Sequence, residues 1–299
     1  MNQKLEVTHL TKRIDGVPIL SGVSFAAEPG TITGIVGRNG TGKTTLLRTM
    51  VGIYTPDGGE VRYGGRNVHA DPKARGHFVF VPDARELLSD YTPERFARLF
   101  ALLYPRFDAE KFWARLRQFE LPPNQKVRTY SEGMKGLFYI ALAVSTRAEV
   151  LLLDEPTEGL DPIFKKQSLR LIVEEVAEQR PIVLICSHRL EELEQIADRI
   201  LFLKDGTVDS IVDLQSMQER YTKWQVAFQS EDGEAVLAEL SSVRILARSG
   251  RVYTLLADDR APADLLDRLR KGGAVLIEPL PLKLEDLFVE KLGGDVHVF

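Results

Sequence analysis

The run GRNGTGKT at residues 37–44 constrains this 299-residue chain more than any other. It fits the pattern G-x-x-x-x-G-K-[ST]. The β-rich run TITGIV precedes it, and TTLLRTMVG follows as a helix ending at Gly52. Strand, glycine loop and helix together make a phosphate-binding loop rather than a glycine-rich surface turn. Gly37, Gly40 and Gly42 let backbone N–H groups turn inward toward phosphate oxygens, and the helix N-terminus adds partial positive charge. Lys43 then faces the β- and γ-phosphates, and Thr44 is the expected Mg²⁺ ligand. The fold class is therefore α/β.

Two further apolar runs end in polar residues. EVLLLDEP (149–156) reads as a central parallel strand closing on Asp154 and Glu155. At the C-terminal end of such a strand, Asp154 can hold the Mg²⁺ shell and Glu155 can polarise a water. Taken alone, the same acids would also suit a strand ending at the surface. RPIVLICSHRLEEL repeats the design, with Ser187 and His188 after the strand. His188 is placed either to sense a γ-phosphate or to stand in solvent beside a helix-capping serine. Upstream, LEVTHL and SGVSFAAEPG alternate on either side of a DG turn, the pattern of an antiparallel hairpin.

Composition narrows the class. The net charge of −4, with 27% charged residues, offers no global attraction for nucleic acid. Cys186 is the sole cysteine, so no intramolecular disulfide forms. No apolar run approaches the roughly 18 residues that cross a bilayer, and MNQKLEVTHL lacks the apolar core of a signal peptide. The expectation is a cytoplasmic protein that reaches a membrane only through another chain.

These motifs, in this order over residues 3–210, resemble the nucleotide-binding subunit of an ATP-binding cassette (ABC) transporter. The matching runs include GRNGTGKTT, VLLLDEP, TEGLD and the switch SH. YSEGMKG at 130–136 stands where that family carries its LSGGQ signature. By itself YSEGM reads as a helix cap with a nearby acid. The resemblance implies a phosphate-loop ATPase domain over residues 1–212, with an N-terminal antiparallel β subdomain and a helical subdomain at about residues 84–147. It implies ATP and Mg²⁺ as cofactors. The nucleotide would be held by Gly37, Asn39, Gly40, Gly42, Lys43, Thr44, Thr45 and Ile14, and the metal by Thr44, Asp83 and Asp154. Lys43, Glu155 and His188 would be catalytic. It further implies head-to-tail closure of two chains, with Ser131, Glu132 and Gly133 reaching the partner's nucleotide and Asp161 bridging the subunits. An integral membrane permease would complete the assembly, with no nucleic acid bound.

Departures from the family pattern are specific. Ile14 stands near the usual adenine-stacking aromatic, Asp83 in place of a glutamine, Glu132 in place of a glycine, and Glu158 where serine is common. Between Asp83 and Ser131, Pro93 after Thr92 marks a helix start, and Phe96, Leu99, Phe100 and Leu103 form a helical stripe read as core. The arginines of that stretch are read as a solvated face, and residues 83–91 as the permease contact. Residues 213–299 carry the order β-α-β-β-α-β of a small, ferredoxin-like α+β domain, for packing, dimer contact or regulation. The closing LEDLFVEKLGG resembles the C-terminal helix of type-2 ABC exporter ATPases. The expected function is ATP hydrolysis coupled to transport, in the direction of export. The alternative is a permease-free ABC ATPase acting on ribosomes or DNA.

Overall fold

The computed structural model describes residues 3–83, 88–229, 233–238, 240, 242–258, 261 and 264–287. The chain divides into two units, residues 1–211 and 212–299. Within the contact segment expected at 83–91, residues 84–87 lie outside the described residues, as does the closing run beyond Leu287.

In the first unit the alternating N-terminal runs become β1 (Leu5–Ile14) and β2 (Val17–Ala27), antiparallel, with Ile14 opposite Val17 across the Asp15–Gly16 turn. β3 (Ile32–Val36) leads through the glycine loop into α1 (Lys43–Met50). Then come β4 (Gly58–Tyr63), β5 (Arg66–Asn67), the short α2 (Pro72–Arg75) and β6 (Phe78–Val81). Three helices follow, α3 (Pro93–Leu103), α4 (Ala109–Gln118) and α5 (Glu132–Ser145). The chain then alternates through β7 (Val150–Asp154), α6 (Pro162–Gln179), β8 (Ile182–Cys186) and α7 (Leu190–Ile196). β9 (Arg199–Lys204) and β10 (Thr207–Asp213) follow, the division at residue 211 falling within β10.

Two sheets result. The first has the order β2-β1-β4-β5 and is antiparallel. The second has the order β10-β9-β3-β8-β7-β6, and β9 through β6 run parallel. Every residue of β3, β7 and β8 is buried, which is why these segments read as continuous apolar runs. Leu46, Leu47 and Met50 of α1 join Leu152 and Leu184 of that sheet and Leu5, Val7 and Leu20 of the first in one core.

The helical stretch is built on rings. Phe138 of α5 packs edge-on against Phe96 of α3 at 5.1 Å and Phe112 of α4 at 6.0 Å. α5 is buried on nearly all sides rather than on one face, because α6 packs against it as well. The predicted core stripe of α3 holds at Phe96 and stops short of the helix end, where Leu102 and Leu103 are 83% and 60% exposed. The basic residues are also not uniformly solvated. On α4, Lys111 reaches the buried Glu175 of α6 at 2.5 Å, and Arg115 reaches Glu174 at 2.8 Å.

The second unit contains α8 (Leu214–Arg220), β11 (Tyr221–Phe228), α9 (Gly233–Ala238), β12 (Val243–Ser249), β13 (Val252–Asp258), α10 (Leu265–Lys271) and β14 (Ala274–Leu280). Its sheet order is β12-β13-β11-β14, all antiparallel, the ferredoxin-like arrangement. Its core gathers Val226, Phe228, Tyr253 and Leu255 of the sheet with Leu237 and Leu269 of the helices. Among the described residues of the whole chain, no helix is long and apolar enough to cross a membrane.

Candidate nucleotide site

Register places the polar residues of the site. Ile35 of β3 pairs with Cys186 of β8, Cys186 with Asp154 of β7, and Leu153 of β7 with Val81 of β6. In a parallel sheet, the residues beyond these positions emerge along one edge, the ligand-binding edge of α/β proteins. The glycine loop, Asp154 with Glu155, Ser187 with His188, and Asp83 therefore share that edge. Cys186, at the centre of the register, is fully buried, and burial pushes its thiol well above the ordinary range.

The loop after β3 is held tightly from behind. Gly37 passes so close to β9 that a Cβ there would lie 2.4 Å from the Leu203 carbonyl oxygen. Gly40 and Gly42 both have positive φ, and Gly42 is the N-cap of α1. The Lys43 ammonium donates to the carbonyl oxygens of Gly37 at 2.7 Å and Arg38 at 3.2 Å. It thereby curls over its own loop, where an entering phosphate would exchange charge for those carbonyls. Asn39 and Gly40 are exposed, while Lys43 is buried and Thr44 and Thr45 are half-buried.

Asp154 is 1% exposed, and its Oδ2 has no hydrogen-bond partner among the described residues. Burial raises its carboxyl above the ordinary 3.8; a hydrogen-bonding contact from Thr44 opposes this, and the Asp83 charge adds to it. A buried, unpartnered carboxylate oxygen beside a hydroxyl and a second acid is a hard-oxygen set suited to Mg²⁺. Thr44 and Asp154 would hold such an ion, with Asp83 in its outer surroundings. When bound it would supply charge neutralisation for the phosphates.

Glu155 follows with positive φ (46°), and its N–H donates to the Cys186 carbonyl at 3.0 Å. Its Oε2 accepts from the His188 backbone N–H at 3.3 Å and lies 3.0 Å from His188 Nδ1. Burial raises the Glu155 carboxyl, the facing His188 opposes that shift, and Glu158 adds to it. A carboxylate with raised proton affinity, oriented by an imidazole, is equipped to take a proton from water.

The other predicted residues lie on neighbouring elements. Ser131 is the N-cap of α5, its exposed hydroxyl accepting from Met134 N–H at 3.2 Å, and Glu132 pairs with Lys135 at 2.7 Å. Gly133 is buried, and a Cβ there would fall 2.4 Å from the Phe164 ring. Asp161 is the N-cap of α6, accepting from Ile163 N–H at 2.9 Å and Phe164 N–H at 3.2 Å. Ile14 is half-buried at the tip of the β1–β2 hairpin. Sequence reasoning missed Thr157, Lys165 and Glu192, which join through one buried carboxylate. LEELEQ presents three acids in six residues with no local mark on the second; only the fold selects Glu192.

Residues 20–158 match the ABC transporter family. Over 290 residues the chain is 33% identical to the ABC transporter ATP-binding protein YtrB of Bacillus subtilis (strain 168), covering 97% of this chain and 98% of that one. The chain belongs to the ABC transporter ATP-binding protein family. Members of this ABC family hydrolyse ATP to power transport, and this chain is an ATPase of that class. Another ABC relative, the ribose import ATP-binding protein RbsA 1 of Rubrobacter xylanophilus, is 31% identical over 319 residues; the match covers 95% of this chain and 63% of that relative. Among solved structures, an ATP-binding subunit of an ABC transporter superposes with a TM-score of 0.65 at 26% identity, over 72% of this chain and 92% of that one. A bacterial ABC transporter cassette with a structure described as dimeric superposes with a TM-score of 0.63 at 23% identity, over 70% and 98% respectively.

Proposed function

We propose that the chain drives a separate membrane permease by binding Mg²⁺–ATP between two cassettes and hydrolysing it. The observation that carries this reading is the Glu155–His188 pair, 3.0 Å apart beside the unpartnered Oδ2 of Asp154. Asp154 and Thr44 take the metal, Lys43 and the loop amides take the phosphates, and Glu155 takes the proton of the attacking water while His188 orients it. Ser131 and Glu132 are exposed for the nucleotide of a partner chain, and Asp161 stands at the same junction. The permease would hold the chain at the inner face of the membrane, through the segment beside the apolar cavity of about 90 Å³ lined by Val81, Phe96, Phe100 and Tyr139.

Export is the direction suggested by the C-terminal run LEDLF. Import is the second reading, favoured by the likeness to a ribose import protein. Glu155→Gln tests the chemistry: it should abolish turnover, keep ATP binding and accumulate an ATP-dependent dimer on light scattering. Full ATPase in the folded variant overturns the role of Glu155. Affinity capture of the tagged chain from membranes should recover a polytopic permease; recovery with ribosomes or DNA instead overturns the transporter reading.

A further inference from the structure

The carboxylate of Glu192 sits on α7, one turn past His188, and is only 9% exposed. One oxygen accepts from the hydroxyl of Thr157, which is 2% exposed and lies two residues past Glu155. The other lies 2.9 Å from Lys165 Nζ, and Arg189 Nε is 3.7 Å away. Lys165 belongs to the first turn of α6, the helix capped by Asp161, and its own N–H donates to the Asp161 carbonyl at 3.0 Å. One buried charge thus joins the segment after Glu155, the helix that begins at Asp161, and the helix that begins after His188. Glu192 is not among the residues that form the glycine loop, and no hydrogen bond or ion pair ties it to Lys43, Thr44 or Asp154 among the described residues.

We propose that Glu192 is a positioning residue for hydrolysis: through Thr157 and Lys165 it fixes the 155–161 segment against the His188 turn. The physical case rests on burial. A carboxylate shielded from water keeps its hydrogen bonds at full strength and is costly to leave unpaired, so the three segments move together or lose the contact. The Glu155–His188 distance spans two of these segments and depends on that tie. Nucleotide affinity depends on the glycine loop and does not.

The inference rests on Glu155 and His188 forming the hydrolytic pair, so its test carries Glu155→Gln as an independent arm. Steady-state ATPase is measured on the full-length wild type, Thr157→Ser, Thr157→Val, Glu192→Gln and the Thr157→Val/Glu192→Gln double variant, with melting curves to verify folding. Thr157→Val and Glu192→Gln should each lower kcat about 10-fold or more, the scale of a misplaced catalytic group, with KM for ATP changed less than about twofold. Thr157→Ser, which keeps the hydroxyl, should retain the wild-type rate, and the double variant should be no slower than the slower single. Should Glu192→Gln fail to fold, the Ser-against-Val comparison at position 157 carries the test. A folded Glu192→Gln with wild-type kcat, equal losses in Thr157→Ser and Thr157→Val, additive losses in the double variant, or a rise confined to KM overturns the proposal. If Glu155→Gln retains turnover, the hydrolytic assignment fails separately.

Discussion

The ring of Phe164 occupies the space that a side chain at Gly133 would need. A Cβ on Gly133 would lie 2.4 Å from Phe164 Cδ2. The glycine is thus required inside its own chain, before any partner is considered, because the first turn of α6 packs on the first turn of α5. Gly133→Ala should force one of the two helix starts to move. The cost of overpacking is about 1–3 kcal/mol, a drop of roughly 2–10 °C in Tm, accompanied by loss of ATPase. Removing the ring should relieve the clash, so Gly133→Ala/Phe164→Ala should melt above Gly133→Ala alone. Differential scanning calorimetry decides it, and equal or additive destabilisation counts against the contact.

The raised proton affinity of Glu155 has a kinetic sign. Burial holds its proton to higher pH than the ordinary 4.5, with His188 pulling the other way. Only the charged form accepts a proton from water. Turnover should therefore fall as pH drops through a value above 4.5, so the acid limb of the kcat profile lies above that of a free glutamate. Glu155→Gln should lower kcat by about 10²–10⁴. An acid limb at or below the ordinary glutamate range would separate Glu155 from the rate-determining proton transfer.

The parallel sheet and its edge were legible because their signals are local. Three apolar runs too short for helices end in GRNGTGKT, DE and SH, and parallel pairing brings those ends together. The ferredoxin-like order of the second unit was legible for a similar reason, since DLLDRLRKGG and the hairpin around Gly250 carry their own stop signals. What escaped depends on tertiary contact. Leu103 continues the helical period of Phe96 yet is exposed, because Phe138 and Tyr139 meet the helix at Phe96. Lys111 and Glu175 are 64 residues apart, and no periodicity pairs them. Glu192 is one acid among three until Thr157 and Lys165 are folded onto it.

The Lys111–Glu175 pair joins the helical stretch to α6, and Glu175 is 2% exposed. Burial raises the Glu175 carboxyl against the pull of Lys111, while the combined bonds to Glu175 and Glu178 outweigh burial and raise Lys111. Lys111→Ala should destabilise by about 3–5 kcal/mol, because it strands a buried charge. Lys111→Met/Glu175→Leu should recover most of that loss. Urea unfolding checks both, and a Lys111→Ala loss below about 1 kcal/mol, the level of an exposed pair, would show that the carboxylate is not stranded.

Ile14 tests how the hairpin tip serves the nucleotide. Ile14 is half-buried at the end of β1, and we propose that its methyl groups stand where an aromatic face would stack on a base. Base–aromatic stacking contributes about 1–3 kcal/mol, so Ile14→Tyr should tighten ATP binding by about 5-fold or more in titration calorimetry. Unchanged or weaker affinity would remove Ile14 from the adenine site.

Asp154 offers a test of the metal without turnover. Its carboxyl is raised above the ordinary 3.8, chiefly by burial. Between the ordinary and the raised value the folded chain binds more protons than the unfolded one, so this group's contribution to stability falls as pH rises through that window. Above it, the charged and partly unpartnered carboxylate costs folding energy until a cation arrives. Asp154→Asn removes that cost, so in EDTA the variant should melt higher than the wild type by about 2–4 °C for each kcal/mol relieved. Replacing EDTA with Mg²⁺ in saturating ATP should then raise the Tm of the wild type and leave the variant nearly unchanged. Thermal melts at pH 7.5 read both effects, and an equal Mg²⁺-dependent rise in the two proteins would place the ion elsewhere.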